Sequence, residues 1–410
     1  MDGVRVYNTP VSLGSASRQS ISPLQDIPAS DIERIEVVKG ASATTLYGTE
    51  AAGGVIQIFT KRGVAGDAIW NGGLTLGASS MGQVGPDGDP TELFTKCDRV
   101  DDMYGISQGS STAGDRTYFQ DPTCPSSGRW FETGLQQRYD LSVRGGSDRY
   151  TYYVAGNYSD VDGTLQNQNS KDGGVRANVD LRFGNSLNFQ YNGAYTRRVS
   201  SFVEDGNNAD GFLLNVGRGT NGNFKGGKGE DCANVDVLCV TNAYIFDSEN
   251  IARTNRYTNS GILNWEPIQN FNNKLSVGWD YLELESDEWI PFGYLRNEDG
   301  FYSSESNFRS KLSLEYAGSY RNNFGENFLS TISFGGQLFR DRARAKYVDT
   351  QGFAGPGKPL LTSGGAGTDI DDSILSVTTG GFFAEWILGF QDRLFLTLGG
   401  RGDGSSAFGD

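Results

Sequence analysis

The sequence predicts an all-β-dominated chain: a partial transmembrane antiparallel β-barrel of about eleven strands, preceded by a short α+β segment. Three observations predict it. From about Asp67 onward, apolar and polar residues alternate in segment after segment; the connections between segments alternate between short and long; and residues 1–66 follow neither rule.

The alternation is cleanest at Val175 to Phe183, where Val175, Ala177, Val179, Leu181 and Phe183 share one face and Arg176, Asn178, Asp180 and Arg182 share the other. The same period carries Leu187 to Tyr195, Leu275 to Tyr281, Phe308 to Tyr320, Phe328 to Leu338 and Phe382 to Phe390. The segments run to roughly 9 to 16 residues, which suits tilted strands that cross a bilayer in about 9 to 11 residues. Aromatic residues at strand ends, such as Tyr150, Tyr158, Tyr316 and Tyr320, suit the interfacial girdles of such a barrel.

Short turns are expected at Gly145 to Asp148, Gly184 to Ser186, Pro267 to Asn270, Asn322 to Asn327 and Gly389 to Asp392. Long connections are expected at about Met81 to Gly134, Ser159 to Asp172, Ser200 to Ala252, Trp289 to Glu305 and Arg344 to Ile370. A sandwich with Greek-key crossovers has no cause to alternate its loops in this way. An up-and-down barrel does, with trimmed periplasmic turns and elaborated extracellular loops. An odd strand count that stops near Arg401, without a return strand, reads as a truncated barrel.

Composition narrows the alternatives. No stretch approaches the roughly 18 to 20 apolar residues of a spanning helix, and even Gly380 to Phe390 is broken by Glu385 and glycines. Any membrane crossing must then be made by closed strands. The net charge of −15 argues against nucleic acid as a partner, because that affinity rests on clustered Lys and Arg. With no histidine, no phosphate-binding glycine loop and no pair of carboxylates fixed at a defined separation, the chain is not expected to be an enzyme. No cofactor is expected either. Loop acids at Asp205 to Asp210 and Asp369 to Asp372 could attract calcium, but no EF-hand spacing supports a site.

Four cysteines form two local pairs, Cys97 with Cys124 and Cys232 with Cys239, each inside one long connection. They read as disulfides of an oxidising compartment or as four unpaired thiols; the spacing gives no zinc site. Met1 leads into polar sequence without a secretory leader, which implies a mature chain or a fragment.

The front segment reads as a short capped helical turn and then a strand within Ile27 to Gly40, a helix over Ala41 to Tyr47 broken at Gly53 and Gly54, and a strand over Val55 to Thr60. Glu33, Arg34, Glu36, Lys39 and Gly40, then Leu46, Tyr47 and Gly48, then Gly54 and Val55, stand in an order that resembles the close of the plug domain in TonB-dependent transporters. The start at Asp2, Gly3 and Val4 and the Arg401 to Gly409 strand end resemble the SusC/RagA-type branch, although Glu50, Gly53 and Gly402 depart from its pattern. The tripeptide Arg401-Gly402-Asp403 is also an adhesion motif, a reading that a strand position disfavours.

The resemblance implies residues 1–66 as the C-terminal part of the plug and 67–410 as the N-terminal half of a barrel of about 22 strands. It implies the outer membrane of a Gram-negative bacterium, contact with its lipid, and active import of a glycan or peptide. The partners implied are TonB with its inner-membrane energising complex and a SusD-like surface lipoprotein. A fragment lacking the TonB-gripped segment is not expected to transport by itself. Trp130, Trp289, Phe292, Tyr294 and Tyr302 are candidate substrate or partner contacts in outer loops, or else pack those loops together. Inward Arg176, Arg182, Arg309 and Lys311 are expected to meet Glu33, Arg34, Glu36 and Lys39 of the plug. A siderophore or cobalamin receptor is the alternative within the family, and a surface adhesin without transport is the alternative outside it.

Overall fold

A computed structural model describes residues 1–13, 19–39, 53–80, 133–204, 248–293, 299–325, 327–357, 360–362, 364–365, 368–391 and 393–408. Both cysteine pairs, Trp130, Tyr294, Gly40, Leu46, Tyr47, Gly48 and the helix expected at Ala41 to Tyr47 lie outside the described residues.

The front segment holds two small antiparallel pairs. One joins β1 (Val11–Leu13) to β2 (Gln19–Ile21), and the other joins β3 (Ile32–Val38) to β4 (Val55–Thr60). Between them lie two single 3-10 turns, Pro23–Asp26 and Ala29–Asp31. Pro23 opens the first of these, where its missing N–H costs nothing. Gly54, at φ +98°, starts β4 where a Cβ would meet the Val38 carbonyl oxygen at 2.9 Å.

Eleven strands then form one continuous antiparallel sheet in strict chain order: β5 (Gly66–Ser79), β6 (Gly134–Gly146), β7 (Tyr150–Asp162), β8 (Asn169–Phe183), β9 (Leu187–Ser201), β10 (Glu249–Trp265), β11 (Phe271–Ile290), β12 (Phe301–Phe324), β13 (Phe328–Gln351), β14 (Thr368–Phe390) and β15 (Leu394–Ser405). Each strand pairs with the next, the order of an up-and-down wall. Register breaks once within this sheet, between Gly66 and Ile69.

The strands are longer than the alternation suggests, reaching 24 residues in β12 and β13. The long connections expected at Trp289 to Glu305 and Arg344 to Ile370 shrink accordingly, since β12 begins at Phe301, β13 runs to Gln351 and β14 begins at Thr368. The physical reason is that alternation marks only the part of a strand whose two faces meet different media. Beyond that part the ladder continues without an apolar period on the outward face. Trp289 and Tyr302 therefore sit not in a loop but opposite one another on β11 and β12.

One face of the wall is apolar and exposed. Trp279, Leu312, Phe334, Leu338 and Trp386 stand outward, each more than a third exposed, which is characteristic of surface that meets lipid or a partner. Rings flank this belt at both ends. Tyr195, Tyr257 and Tyr281 form one ladder with centroids 4.7 and 6.2 Å apart, while Phe271 with Tyr320 and Phe328 with Phe390 mark the short-turn end. On β11 the two girdles are Phe271 and Tyr281, a separation that matches the roughly 9 to 11 residues of a tilted crossing. The other face is mostly polar, and along β7 to β12 many of its residues are buried. A small apolar cluster of Val11, Ala252, Leu282 and Leu284, with Tyr7, Ile21 and Phe202 against it, is all that resembles a conventional core among the described residues.

Candidate functional site

The polar inner face and the front segment meet through four sets of buried contacts, each joining residues far apart in sequence. The first is built on Asp2-Gly3-Val4. Asp2 and Gly3 both adopt left-handed backbone, at φ 44° and 80°. The turn aims the Asp2 carboxylate at Thr60, whose backbone N–H and hydroxyl donate to it at 3.0 and 2.8 Å. Asn178 of β8 in turn donates to the Thr60 hydroxyl at 2.9 Å and to the Lys61 carbonyl at 2.7 Å. Val4 is buried in a notch at Gly278 of β11, where a Cβ would lie 2.5 Å from its methyl carbon. The motif thus has a mechanical role: the aspartate staples the end of β4, the glycine turns the chain beneath Ile262, and the valine seats in the wall.

The second set centres on Arg256 of β10 and Asp280 of β11. Their side chains are almost wholly buried and pair bidentately, Nε to Oδ1 at 3.0 Å and Nη2 to Oδ2 at 3.1 Å. The pair also reads the backbone of the front segment. Asp280 accepts from the Tyr7 N–H at 2.8 Å, and Arg256 donates to the Tyr7 carbonyl at 3.1 Å and to the Pro23 carbonyl. Thr258 adds a hydroxyl to Asp280 at 2.8 Å. One ion pair in the wall therefore holds two separate stretches of the front segment.

The third set is Asp31, which accepts from Arg176 Nε of β8 at 2.8 Å and from the Tyr153 hydroxyl of β7 at 3.3 Å, all three buried. Nearby, Arg62 pairs with Asp180 of β8 at 3.0 Å, and Gly63 passes so close to β7 that a Cβ would sit 2.3 Å from the Tyr152 nitrogen. The fourth is Asp26, which pairs with Arg198 of β9 at 3.1 Å while Arg198 also donates to the Gln25 carbonyl at 2.6 Å.

Asp26 is the least comfortable member. Its Oδ2 is buried without a hydrogen-bond partner among the described residues. Burial pushes its pKa above the ordinary carboxylate value, and this outweighs the opposing pull of Arg198. A raised pKa means that the docked state holds the proton more tightly than the undocked one. Docking at this point is therefore strongest below the ordinary aspartate pKa and weakens as pH rises toward the raised value. Asp26→Asn is accordingly expected to dock residues 23–26 at least as firmly as wild type at pH 7 and to flatten the pH dependence, as read by hydrogen exchange at Gln25 and Ile27.

The expected plug charges do not all serve this interface. Arg34 pairs with Glu36 at 2.6 Å within β3 and stacks over Phe59, with Glu33, Glu36 and Lys39 exposed on the same segment. Of the wall residues, Arg176 meets the front segment, and Arg309 lies 5.8 Å from the Tyr7 ring. Lys311 instead pairs with Asp341 inside the wall. Alternation identifies inward residues but not their heights, so it cannot match an arginine to its acid. Asp26, Asp31, Arg62, Arg198, Arg256 and Asp280 carry the interface; an inward Arg or Asp in an otherwise small polar face is the only signal they leave in sequence.

Of the aromatic candidates, Phe292 lies half-exposed in the turn after β11, and the Tyr302 hydroxyl reaches Asp287 at 3.4 Å. At the short-turn end a cavity of about 580 Å³ is lined by polar residues including Arg182, Asn188, Asn264, Lys274 and Ser319.

The family profile described as TonB-dependent Receptor Plug Domain matches residues 1–55. The TonB-dependent receptor P26 of Formosa agariphila is 22% identical over 94% of this chain and 40% of its own length. The TonB-dependent receptor SusC of Bacteroides thetaiotaomicron is 24% identical over 83% of this chain and 31% of its own length. The chain thus spans less than half the length of these relatives. In fold, the structure of the RagAB peptide transporter superposes with a TM-score of 0.68 at 18% identity, covering 96% of this chain and 49% of that one.

Proposed function

We propose, from its likeness to TonB-dependent receptors of the SusC/RagA type, that this chain is part of such a receptor and that the whole protein imports a large nutrient, a glycan or a peptide, across the outer membrane of a Gram-negative bacterium. The observation that carries the reading is the chemistry of the interface. Among the described residues the front segment is fastened to the wall by buried ion pairs and backbone hydrogen bonds, with one small apolar cluster where Tyr7, Val11 and Ile21 meet Ala252, Leu282 and Leu284. Polar groups that separate are rehydrated, whereas a large apolar seal exposed to water costs about 25 cal/mol for every Å² uncovered. A plug so held can be pulled from its seat and return to it.

TonB and its inner-membrane energising complex supply the pull in this scheme, and a SusD-like lipoprotein covers the mouth at the end with long connections. The named similarities favour this branch: RagAB is a peptide transporter by name, and the aromatic candidates at the same end offer faces for either a sugar or a peptide. The test is uptake of fluorescent oligosaccharides and peptides by cells with and without the gene, each in TonB-competent and TonB-deficient backgrounds. Gene-dependent and TonB-dependent uptake of either class is expected. Loss of ferric-siderophore uptake alone on deletion, or no change with any substrate, would sink the proposal.

A further inference from the structure

We propose that the outward face of β13, just beyond the apolar belt, binds a phosphate-bearing lipid headgroup of the outer leaflet; this rests on the outer-membrane reading above. Phe339 points inward, buried beneath the Arg5 guanidinium at 3.5 Å, so the even-numbered residues of β13 face outward. That face carries Phe328, Ile332, Phe334 and Leu338, and then without a break in register Arg340, Arg342, Arg344 and Lys346. Phe328 to Leu338 matches the roughly 9 to 11 residues of a tilted crossing, so the basic column begins where the hydrocarbon ends.

A run of charge is ordinarily a solvated face, and two features set this one apart. It is a single-sign column in a chain of net charge −15. Its neighbours on the same face are uncharged except for Asp372: Ser306, Phe308, Ser310 and Leu312 on β12, and Ile374, Ser376 and Thr378 on β14. Asp372 is committed to Arg344, with Nε to Oδ1 at 2.9 Å, and faces Lys346 across the ladder. Arg340 and Arg342 are exposed and make no ion pair or side-chain hydrogen bond among the described residues. Two guanidinium forks stacked above Leu338 and flanked by hydroxyls have the donors and the charge for a phosphomonoester whose acyl chains lie along the apolar face.

The test takes the protein purified from outer membranes in neutral detergent, with lipid A as the probe, either bearing both phosphates or dephosphorylated, and binding read by native mass spectrometry. The phosphorylated form is expected to bind at least tenfold tighter, with a preference that fades in high salt. The Arg340→Ser/Arg342→Ser/Lys346→Ser variant should bind it about a hundredfold more weakly, at roughly fivefold for each basic residue lost near an anionic surface. A control, Arg149→Ser/Arg393→Ser at the short-turn end, should leave it unchanged. Should the triple variant fail to show heat-modifiable migration, Arg342→Ser alone is expected to weaken binding about fivefold. Equal affinity for the two forms of lipid A, wild-type binding by the variants, or preference for soluble dextran sulfate over the lipid would overturn the proposal. A protein absent from the outer-membrane fraction defeats the barrel reading itself; one present there without phosphate preference defeats only this inference.

Discussion

Arg256→Met is expected to loosen the front segment from the wall and to destabilise the wall at the same time. The substitution strips three partners at once: the carboxylate of Asp280, the Tyr7 carbonyl and the Pro23 carbonyl. Asp280 is then left fully buried, with only Thr258 and the Tyr7 N–H to offset its charge. Removing one partner of a buried pair costs about 3 to 5 kcal/mol, far more than the exposed Arg34 with Glu36 pair could contribute. The double variant Arg256→Met/Asp280→Leu separates the two effects. An apolar pair of similar volume is expected to restore wall stability to within about 1 kcal/mol of wild type. It cannot restore the hydrogen bonds to Tyr7 and Pro23. Hydrogen exchange should therefore stay fast at Tyr7 and around Gln25 in both variants, while the denaturation midpoint recovers only in the double. Recovery of protection at Tyr7 in the double variant would mean that the pair serves the wall alone.

The same pair shows where the sequence was informative and where it was silent. The alternation over Val175 to Phe183 is legible because one face meets an apolar medium and the other does not, and the structure pairs those residues as expected on β8. The turns are legible because Gly, Asn, Asp and Pro interrupt the pattern. Arg256 and Asp280, by contrast, alternate as any inward polar residues do, with nothing in their spacing to say that they grip residues some 250 positions earlier. The plug motif was recognisable by its order, while its seat at Gly278 and Thr60 was not, since a glycine in a strand marks a close approach without naming what approaches. The expectation that Glu33, Arg34, Glu36 and Lys39 would meet the wall followed from their density of charge. Arg34 and Glu36 instead pair with each other on β3, while Asp26 and Asp31, at the two short turns, meet Arg198 and Arg176 of the wall.

The interface also explains why the seat of Val4 makes a sharper test of docking than any charge. Gly278→Ala is expected to displace the Asp2 to Val4 turn, because its Cβ would lie within 2.5 to 3.0 Å of the Val4 side chain and β11 is held by ladders on both sides. Overpacking of this kind costs about 1 to 3 kcal/mol. The displaced turn draws Asp2 from Thr60, so protection should fall at the Thr60 amide, which Asp2 accepts from directly. Val4→Gly removes every atom of the clash. Alone, it should weaken docking by the loss of one buried valine, about 1.5 to 3 kcal/mol with backbone freedom added. Combined with Gly278→Ala, it should cost clearly less than the sum of the two single changes. A double-mutant cycle read from Thr60 exchange measures that difference, with about 0.5 kcal/mol as the least coupling expected of side chains in direct contact. Strict additivity would show that Val4 does not occupy the Gly278 notch in solution, and the mechanical account of the Asp-Gly-Val turn would fail with it.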